Sequence, residues 1–361
     1  MPDVLLFGAT GYTGKLTAAA LAARGADFVV AGRNPDKLAA LADATGAAGT
    51  RVVEAGDVDT LTDALHDVKV LVTCVGPFME LGDTAVEAAL RAGVHYVDSA
   101  GEGPFVEKLI RERDEDALRA GIAMAPAMGF DEVPGDVATA LATEGLDLPD
   151  VVLTYAFPSQ ASAGTLRSVL GIVSSKGRWT VDGQTQWVRA GQETRWAPMP
   201  PPLGPRASVA FPLAICHLAP LHVKMNGFRT YSTADTWQRI GMRATMPALS
   251  ALLASASVRK LARSAISRLP DGPGDAARSE GHWTILGEAT TPDGGWRNVA
   301  LAGTDVYGLT GHLLAAAAET MATGDYSGKG VLAPVQAVGV DTLRRELESF
   351  GVHITQFSVD E

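Results

Sequence analysis

From Val4 to Ala127 the chain alternates short apolar runs with helix-like segments, and this alternation limits the fold to one class. The runs are "VLLFGA" (4–9), "FVVAGR" (28–33), "RVVEAG" (51–56), "KVLVTCVG" (69–76), "HYVDSA" (95–100) and "IAMAPA" (122–127). Between them lie "TGKLTAAALAARG", "NPDKLAALADATG", "VDTLTDALHDV", "GDTAVEAALRAG" and "EKLIRERDEDALRAG". Several of these segments stop at a glycine (Gly25, Gly46, Gly93, Gly121), as a left-handed helix cap favours. The second opens with Asn34 and Pro35, an N-cap followed by proline at the first helical position. Strands that are apolar throughout are buried on both faces, and a helix after each one implies a parallel sheet with helices on both sides. The expectation is a doubly wound Rossmann-type α/β domain over residues 1–130.

After residue 150 the texture changes. "VVLTYAF", "HWTILGEATT" and "WRNVALAG" alternate as strands do, with "PDGG" (292–295) as a hairpin turn between the last two. The proline-rich stretch 195–220, with "APMPPPLGP", reads as an irregular crossing or lid loop. An inserted α+β domain with a mostly antiparallel sheet is expected over 131–303. From 304 to 361, "YGLTGHLLAAAAETMATG" and "VDTLRRELESFG" predict helices that pack back on the first domain. A length of 361 residues suits this two-domain reading.

A net charge of −11 argues against nucleic acid as a partner, since nothing global would attract phosphates. Two cysteines, Cys74 and Cys216, are too few for a disulfide framework, and Cys74 reads as a small buried hydrophobe. The opening "MPDVLLFG" lacks a basic n-region, and no stretch is long and apolar enough to span a bilayer. The expected location is cytoplasmic, with peripheral membrane attachment left open. Cys216–His217 lacks ligand spacing, so no metal is expected.

The first strand runs into "GATGYTG", which carries Gly8, Thr10, Gly11, Tyr12, Thr13 and Gly14. Gly8 permits the tight turn, Gly11 lets backbone approach a pyrophosphate, and Gly14 lets the helix pack against the sheet, its N-terminus facing the anion. Strand two then ends in "AGRN" rather than in the carboxylate that binds a ribose 2′-hydroxyl. Arg33, with Asn34 and with Lys37 one turn on, suits a 2′-phosphate, so the expected cofactor is NADP(H). Ligands bind at the carboxyl ends of such strands. That rule adds Asp57 and Val58 at the adenine edge, Gly76, Pro77 and Phe78 near the second ribose, and Asp98, Ser99 and Glu102 near the nicotinamide.

Short-chain dehydrogenases are one alternative, but they need a lysine four residues after the catalytic tyrosine. Tyr12, Tyr96, Tyr155, Tyr231, Tyr307 and Tyr326 are followed at that spacing by Leu16, Ala100, Ser159, Asp235, Gly311 and Gly330. Instead, "GATGYTG", "AGRN", "CVGPF", "AGVHYVDSAGE", "GFDEVPGD" and "YGLTG…GVLAPV" resemble, in order and spacing, the saccharopine dehydrogenase-like reductases, and within them the bacterial trans-acting enoyl reductase group. The resemblance runs through the first 170 residues and returns at 304–340. It implies a Rossmann domain, an inserted substrate domain and NAD(P)H-dependent reduction. It leaves open a C=C bond in a lipid- or polyketide-type acyl chain and a C=N bond in an amino-acid or polyamine pathway. A non-catalytic NADP-binding regulator is a further alternative.

The segment Arg239–Arg268 carries Arg239, Arg243, Arg259, Lys260, Arg263 and Arg268 without an acid, and its apolar residues recur at helical spacing. It is either a solvated face paired with internal acids or a surface for an acyl carrier protein or an anionic membrane. Arg167, Arg178 and Arg189 are the cations available to a substrate carboxylate. The catalytic candidates are Asp131 in "GFDEVPGD", Glu102 in "GEG" and Tyr307 in "DVYGLTG", with Asp136 a weaker one. Asp131 has a second reading as a helix cap. "SAGTLRS" (162–168) resembles the family's helix start beside the cofactor, which implies that Ser162 or Thr165 touches substrate or nicotinamide. A homodimer is left open.

Overall fold

A computed structural model describes residues 2–158, 162, 165–166, 170–172, 176–234, 255, 258, 264–266 and 272–358. The chain divides into two compact units, 1–133 with 306–350, and 134–305 with 351–361.

The first unit is built on a seven-stranded parallel sheet. Its strands are β1 (Val4–Phe7), β2 (Phe28–Gly32), β3 (Gly49–Val52), β4 (Val70–Thr73), β5 (His95–Asp98), β6 (Ala123–Ala125) and β15 (Gly330–Val331), in the order β15-β6-β5-β4-β1-β2-β3. The order reverses at β1, between β2 and β4, and this is the switch point where the loops after neighbouring strands part and admit a ligand. The six apolar runs all form strands, although the third lies slightly earlier than its run. The seventh, β15, is two residues long, too short for a pattern to show. It is fixed by pairing with β6 and by Asp114 Oδ1, which accepts the Val331 N–H at 2.7 Å.

The crossover helices are α1 (Tyr12–Ala23), α2 (Pro35–Thr45), α3 (Val58–Asp63), α4 (Phe78–Ala92), α5 (Gly103–Glu112) and α6 (Asp114–Ala120). Three more follow β14 in the chain: α10 (Val306–Ala322), α11 (Pro334–Val338) and α12 (Val340–Ser349). Glycines set how closely α1 is held. A Cβ on Gly14 would overlap the Gly8 carbonyl oxygen and stand 2.8 Å from Ala9 Cα, while one on Gly311 of α10 would stand 2.8 Å from the Leu16 carbonyl carbon of α1. At the other end of α1, the Arg24 guanidinium grips both oxygens of Glu346 on α12, each at 2.9 Å, and its Nε donates to Glu319 of α10 at 2.6 Å.

The second unit holds a mostly antiparallel sheet in the order β10-β11-β12-β7-β13-β14-β16, with the β8–β9 ribbon on β12. Its strands are β7 (Asp150–Ala156), β8 (Gly177–Val181), β9 (Gln184–Val188), β10 (Thr194–Ala197), β11 (Arg206–Ala210), β12 (Gly227–Thr233), β13 (Trp283–Thr290), β14 (Trp296–Gly303) and β16 (His353–Ser358). β12 and β7 run parallel. Helix α7 (Val133–Thr143) packs on this sheet, where Gly135 leaves room for the Tyr155 ring. Two short helices, α8 (Ile215–Leu218) and α9 (Asp275–Ser279), also belong to this unit. The expected hairpin is present, with Thr290 opposite Trp296.

Two expectations are corrected. The proline-rich stretch is no free lid. β10 and β11 pair antiparallel within it, and Met199 and Leu203 between them pack on Leu286 and Ala300 of the sheet. The C-terminal segment is not helical to its end either, because β16 adds to the second sheet beside β14. The turn at Gly351, with φ +94°, ends the helical stretch, and "HITQFS" alternates faces as an edge strand does.

The tight α1–α10 contact carries a stability prediction. Gly311→Ala places a methyl group against backbone, which cannot swing aside, and is expected to cost about 1–3 kcal/mol as an overpacked site does. Denaturant unfolding checks this, with Gly324→Ala as the control, because nothing lies within 4 Å of a Cβ there.

Candidate active site

The N-termini of α2, α3 and α4 are satisfied by side chains. Asn34 Oδ1 accepts the Lys37 N–H at 2.9 Å and caps α2, and Asp57 Oδ1 accepts the Thr60 N–H at 3.0 Å and caps α3. Helix α4 is capped from a distance: Glu102 Oε1 accepts the Phe78 N–H at 3.0 Å and Oε2 the Met79 N–H at 2.8 Å. Helix α1 differs. Its N-cap is Gly11, which has no side chain to cap with, and its first turn holds no acid. The positive end of its dipole lies at the sheet's switch point, beside the Gly8 turn at φ +79°. Such a terminus holds a pyrophosphate.

The two basic residues expected to meet a 2′-phosphate lie one strand over. Arg33 and Lys37 are exposed and enter no ion pair among the described residues. A Cβ on Gly32 would stand 3.8 Å from Thr10 Oγ1, so the end of β2 and the glycine turn are adjacent. The residues present thus fit NADP(H): an uncapped α1 for the pyrophosphate, and two uncompensated cations where NAD sites carry an acid. Val58 opens α3 behind the Asp57 cap, and Gly76 and Pro77 lead into α4 after β4.

The ends of β5 and β6 bring three acids to one edge. Asp98, the last residue of β5, is fully buried. Its Oδ1 accepts the Ala100 and Ala127 N–H groups, each at 2.7 Å, and its Oδ2 accepts the Tyr96 hydroxyl at 2.7 Å. Burial pushes its carboxyl up to about 6 against the downward pull of those hydrogen bonds. Asp131 follows β6, and a Cβ on Gly101 would stand 3.3 Å from its Oδ2, so the loops after β5 and β6 touch. Desolvation pushes Asp131 to about 6 as well, although the side chain keeps a solvent-accessible face. Glu102 is the third, with both oxygens on α4. Ser99 lies between Asp98 and Ala100 and is half-buried. Tyr307, at the start of α10, meets Tyr12 edge-on with ring centroids 5.3 Å apart, placing it beside the glycine loop.

Thr310 is a contributor that the sequence reading missed. Its hydroxyl accepts the Phe130 N–H at 3.1 Å and so fixes the loop before Asp131. Its only signal was its place in "YGLTG". Cys74 is partly exposed rather than buried, and desolvation pushes its thiol up to about 12, so it is no nucleophile.

In the second unit, Asp136 is fully buried with its Oδ1 2.6 Å from His222 Nε2. Ser162 Oγ accepts the Thr165 N–H at 3.0 Å. His217 is buried and pushed down to about 4 by that burial. No group of metal-ligating side chains forms among the described residues. The basic segment Arg239–Arg268, apart from residues 255, 258 and 264–266, lies outside them, as does Arg167. No helix among the described residues is long and apolar enough to cross a membrane.

A doubly wound sheet with a glycine turn into α1, a basic β2 end and acids at the β5–β6 ends suits a dinucleotide-dependent oxidoreductase. Comparison with known proteins agrees. Residues 4–124 match the saccharopine dehydrogenase NADP binding domain family. The chain is thus an NAD(P)-dependent oxidoreductase whose residues 4–124 are similar to the saccharopine dehydrogenase NADP-binding domain. A Mycobacterium tuberculosis protein, provisionally named a trans-acting enoyl reductase, is 28% identical over 409 residues, covering 98% of this chain and 96% of its own length. A Mycobacterium ulcerans trans-acting enoyl reductase is 34% identical over 141 residues, covering 37% of this chain and 34% of its own. The saccharopine dehydrogenase (L-Glu forming) of Saccharomyces cerevisiae shares the fold with a TM-score of 0.65 at 16% identity, covering 99% of this chain and all of its own.

Arg33→Ala tests the cofactor assignment. Loss of one charge-assisted contact of about 1.5–3 kcal/mol should raise the KM for NADPH by roughly 10- to 100-fold. The KM for NADH should stay within about threefold, since no 2′-phosphate is present to lose the contact.

Proposed function

We propose that the protein uses NADPH to reduce the C=C bond of a lipid- or polyketide-type acyl substrate. The observation that carries this reading is the charge at the β5–β6 edge. Asp98, Glu102 and Asp131 converge there, and none of them is paired with a lysine or arginine among the described residues. An amino-acid imine would bring its own carboxylates to that acidic edge, whereas a neutral enoyl thioester brings none. Relatives named enoyl reductase, one of them aligned along nearly its whole length, support the same choice.

Bound NADPH supplies a hydride from nicotinamide C4. The chain's own residues supply position and a proton. Hydride addition at the β-carbon of an enoyl thioester leaves negative charge at the carbonyl oxygen, and the α-carbon must then be protonated. We assign Asp131 as the donor, because desolvation raises its carboxyl to about 6 and its accessible face lets it take a proton back from water. Glu102, with both oxygens on α4 amides, holds the turn that carries Gly76, Pro77 and Phe78. Tyr307 packs against Tyr12 and shields the glycine loop from that side.

A reading through a short soluble enoyl thioester and a cyclic imine separates the two reductions: NADPH consumption is expected with the first and not with the second. The proton donor has its own test. The protonated form of Asp131 is the active one, so kcat should fall as pH rises through about 6. Asp131→Asn should lose that limb along with roughly 10²-fold of the rate, as removal of a general acid does. Retention of the limb in the variant would assign it to another group.

A further inference from the structure

The loop that carries Asp131 starts from an unfavourable backbone conformation. Ala127, directly after β6, has φ +60°, a left-handed geometry that L-residues other than glycine adopt at a cost. Such a conformation persists only where the surroundings fix it. Here they do so at three points within four residues. The Ala127 N–H donates to Asp98 Oδ1 at 2.7 Å, the Met128 N–H to the Asp98 carbonyl oxygen at 2.8 Å, and the Phe130 N–H to Thr310 at 3.1 Å. Two of the three acceptors belong to Asp98. The same Oδ1 also takes the Ala100 N–H, immediately before Gly101, whose Cα faces Asp131 Oδ2. Oδ2 is fixed in turn by the Tyr96 hydroxyl, two residues back along β5 and so on the same face of the strand.

We propose that Asp98 is a positioning residue, a buried clamp that locks the β6 loop against the β5 loop and so sets where the Asp131 carboxyl stands. It acts through Asp131 and touches neither the reacting bond nor the phosphate end of the cofactor site. The expected consequences are therefore asymmetric. Removing the clamp lets Ala127 relax to a right-handed or extended geometry and carries Asp131 off its position. The Gly8–Gly14 turn and Arg33, on the far side of β1, stay as they are. A misplacement of about 1 Å at a reacting group costs up to roughly 10²-fold in rate.

The proposal rests on the reading of Asp131 as proton donor, and two measurements keep the failures apart. The first is kinetic. Asp98→Ala should lower kcat on an enoyl thioester at least about 30-fold while the KM for NADPH stays within about threefold. Asp98→Asn should keep at least about a third of kcat, because the amide oxygen still accepts both N–H groups. Adding Ala127→Gly to Asp98→Ala should restore at least about fivefold, since glycine enters the left-handed region without the steric cost. The second is amide hydrogen exchange, which needs no substrate. Asp98→Ala should speed exchange over residues 127–131 and leave residues 8–14 protected.

If exchange changes as expected but the kinetics of Asp131→Asn and Asp98→Ala do not, the clamp stands and the assignment of Asp131 falls. Exchange that rises across the whole first unit, or an Asp98→Asn variant as impaired as Asp98→Ala, overturns the clamp. So does a double variant that recovers nothing.

Discussion

The close approach of α1 to the end of β1 is the constraint on which the carboxyl edge depends. Gly14 sits so near the Gly8 carbonyl that a single methyl group would force the helix away from the sheet. That approach puts the N-terminus of α1 at the switch point, where its N-cap, Gly11, offers no capping side chain. The opposite side of α1 is held just as closely, by Gly311 of α10, and its C-terminal end by Arg24 on Glu319 and Glu346. A helix fixed on both sides offers a rigid anion site, which positions a cofactor better than a mobile loop would.

Much of this was legible in the sequence because the physics is local. Apolar strands, glycine stops and the Asn34–Pro35 start each follow from neighbouring residues, and each appears where the pattern puts it. The place of Arg33 was readable as well: it directly follows β2, at the carboxyl end of the sheet where such folds bind ligands. What stayed hidden depends on distant partners. Nothing near Glu102 in the chain shows that its carboxylate ends on the first turn of α4, 24 residues back. Thr310 reaches Phe130 across 180 residues, and β15 is defined only by its pairing with β6. The tail from Gly351 turned from helix to strand because the open edge of β14 offered a partner, which no helical periodicity upstream could announce.

The three acids of the β5–β6 edge share a location but not a role. Glu102 and Asp98 give their oxygens to backbone amides, and Asp131 keeps a face toward solvent. Burial raises both aspartates, but the chemistry open to each is set by what it already bonds. A carboxylate committed to three donors fixes geometry. One with an accessible face and a carboxyl titrating near 6 is available to exchange a proton. Under the proposed enoyl reduction, this difference would let one carboxylate hold the loops while another delivers the proton.

The most direct measurement is a crystal structure with NADPH and a saturated or non-reactive acyl-thioester analogue. The account predicts the pyrophosphate on the α1 N-terminus, the 2′-phosphate on Arg33, and the Asp131 carboxyl within hydrogen-bonding reach, about 3 Å, of the acyl α-carbon position. A nicotinamide ring turned away from the β5–β6 edge, or an acyl chain remote from Asp131, would contradict it.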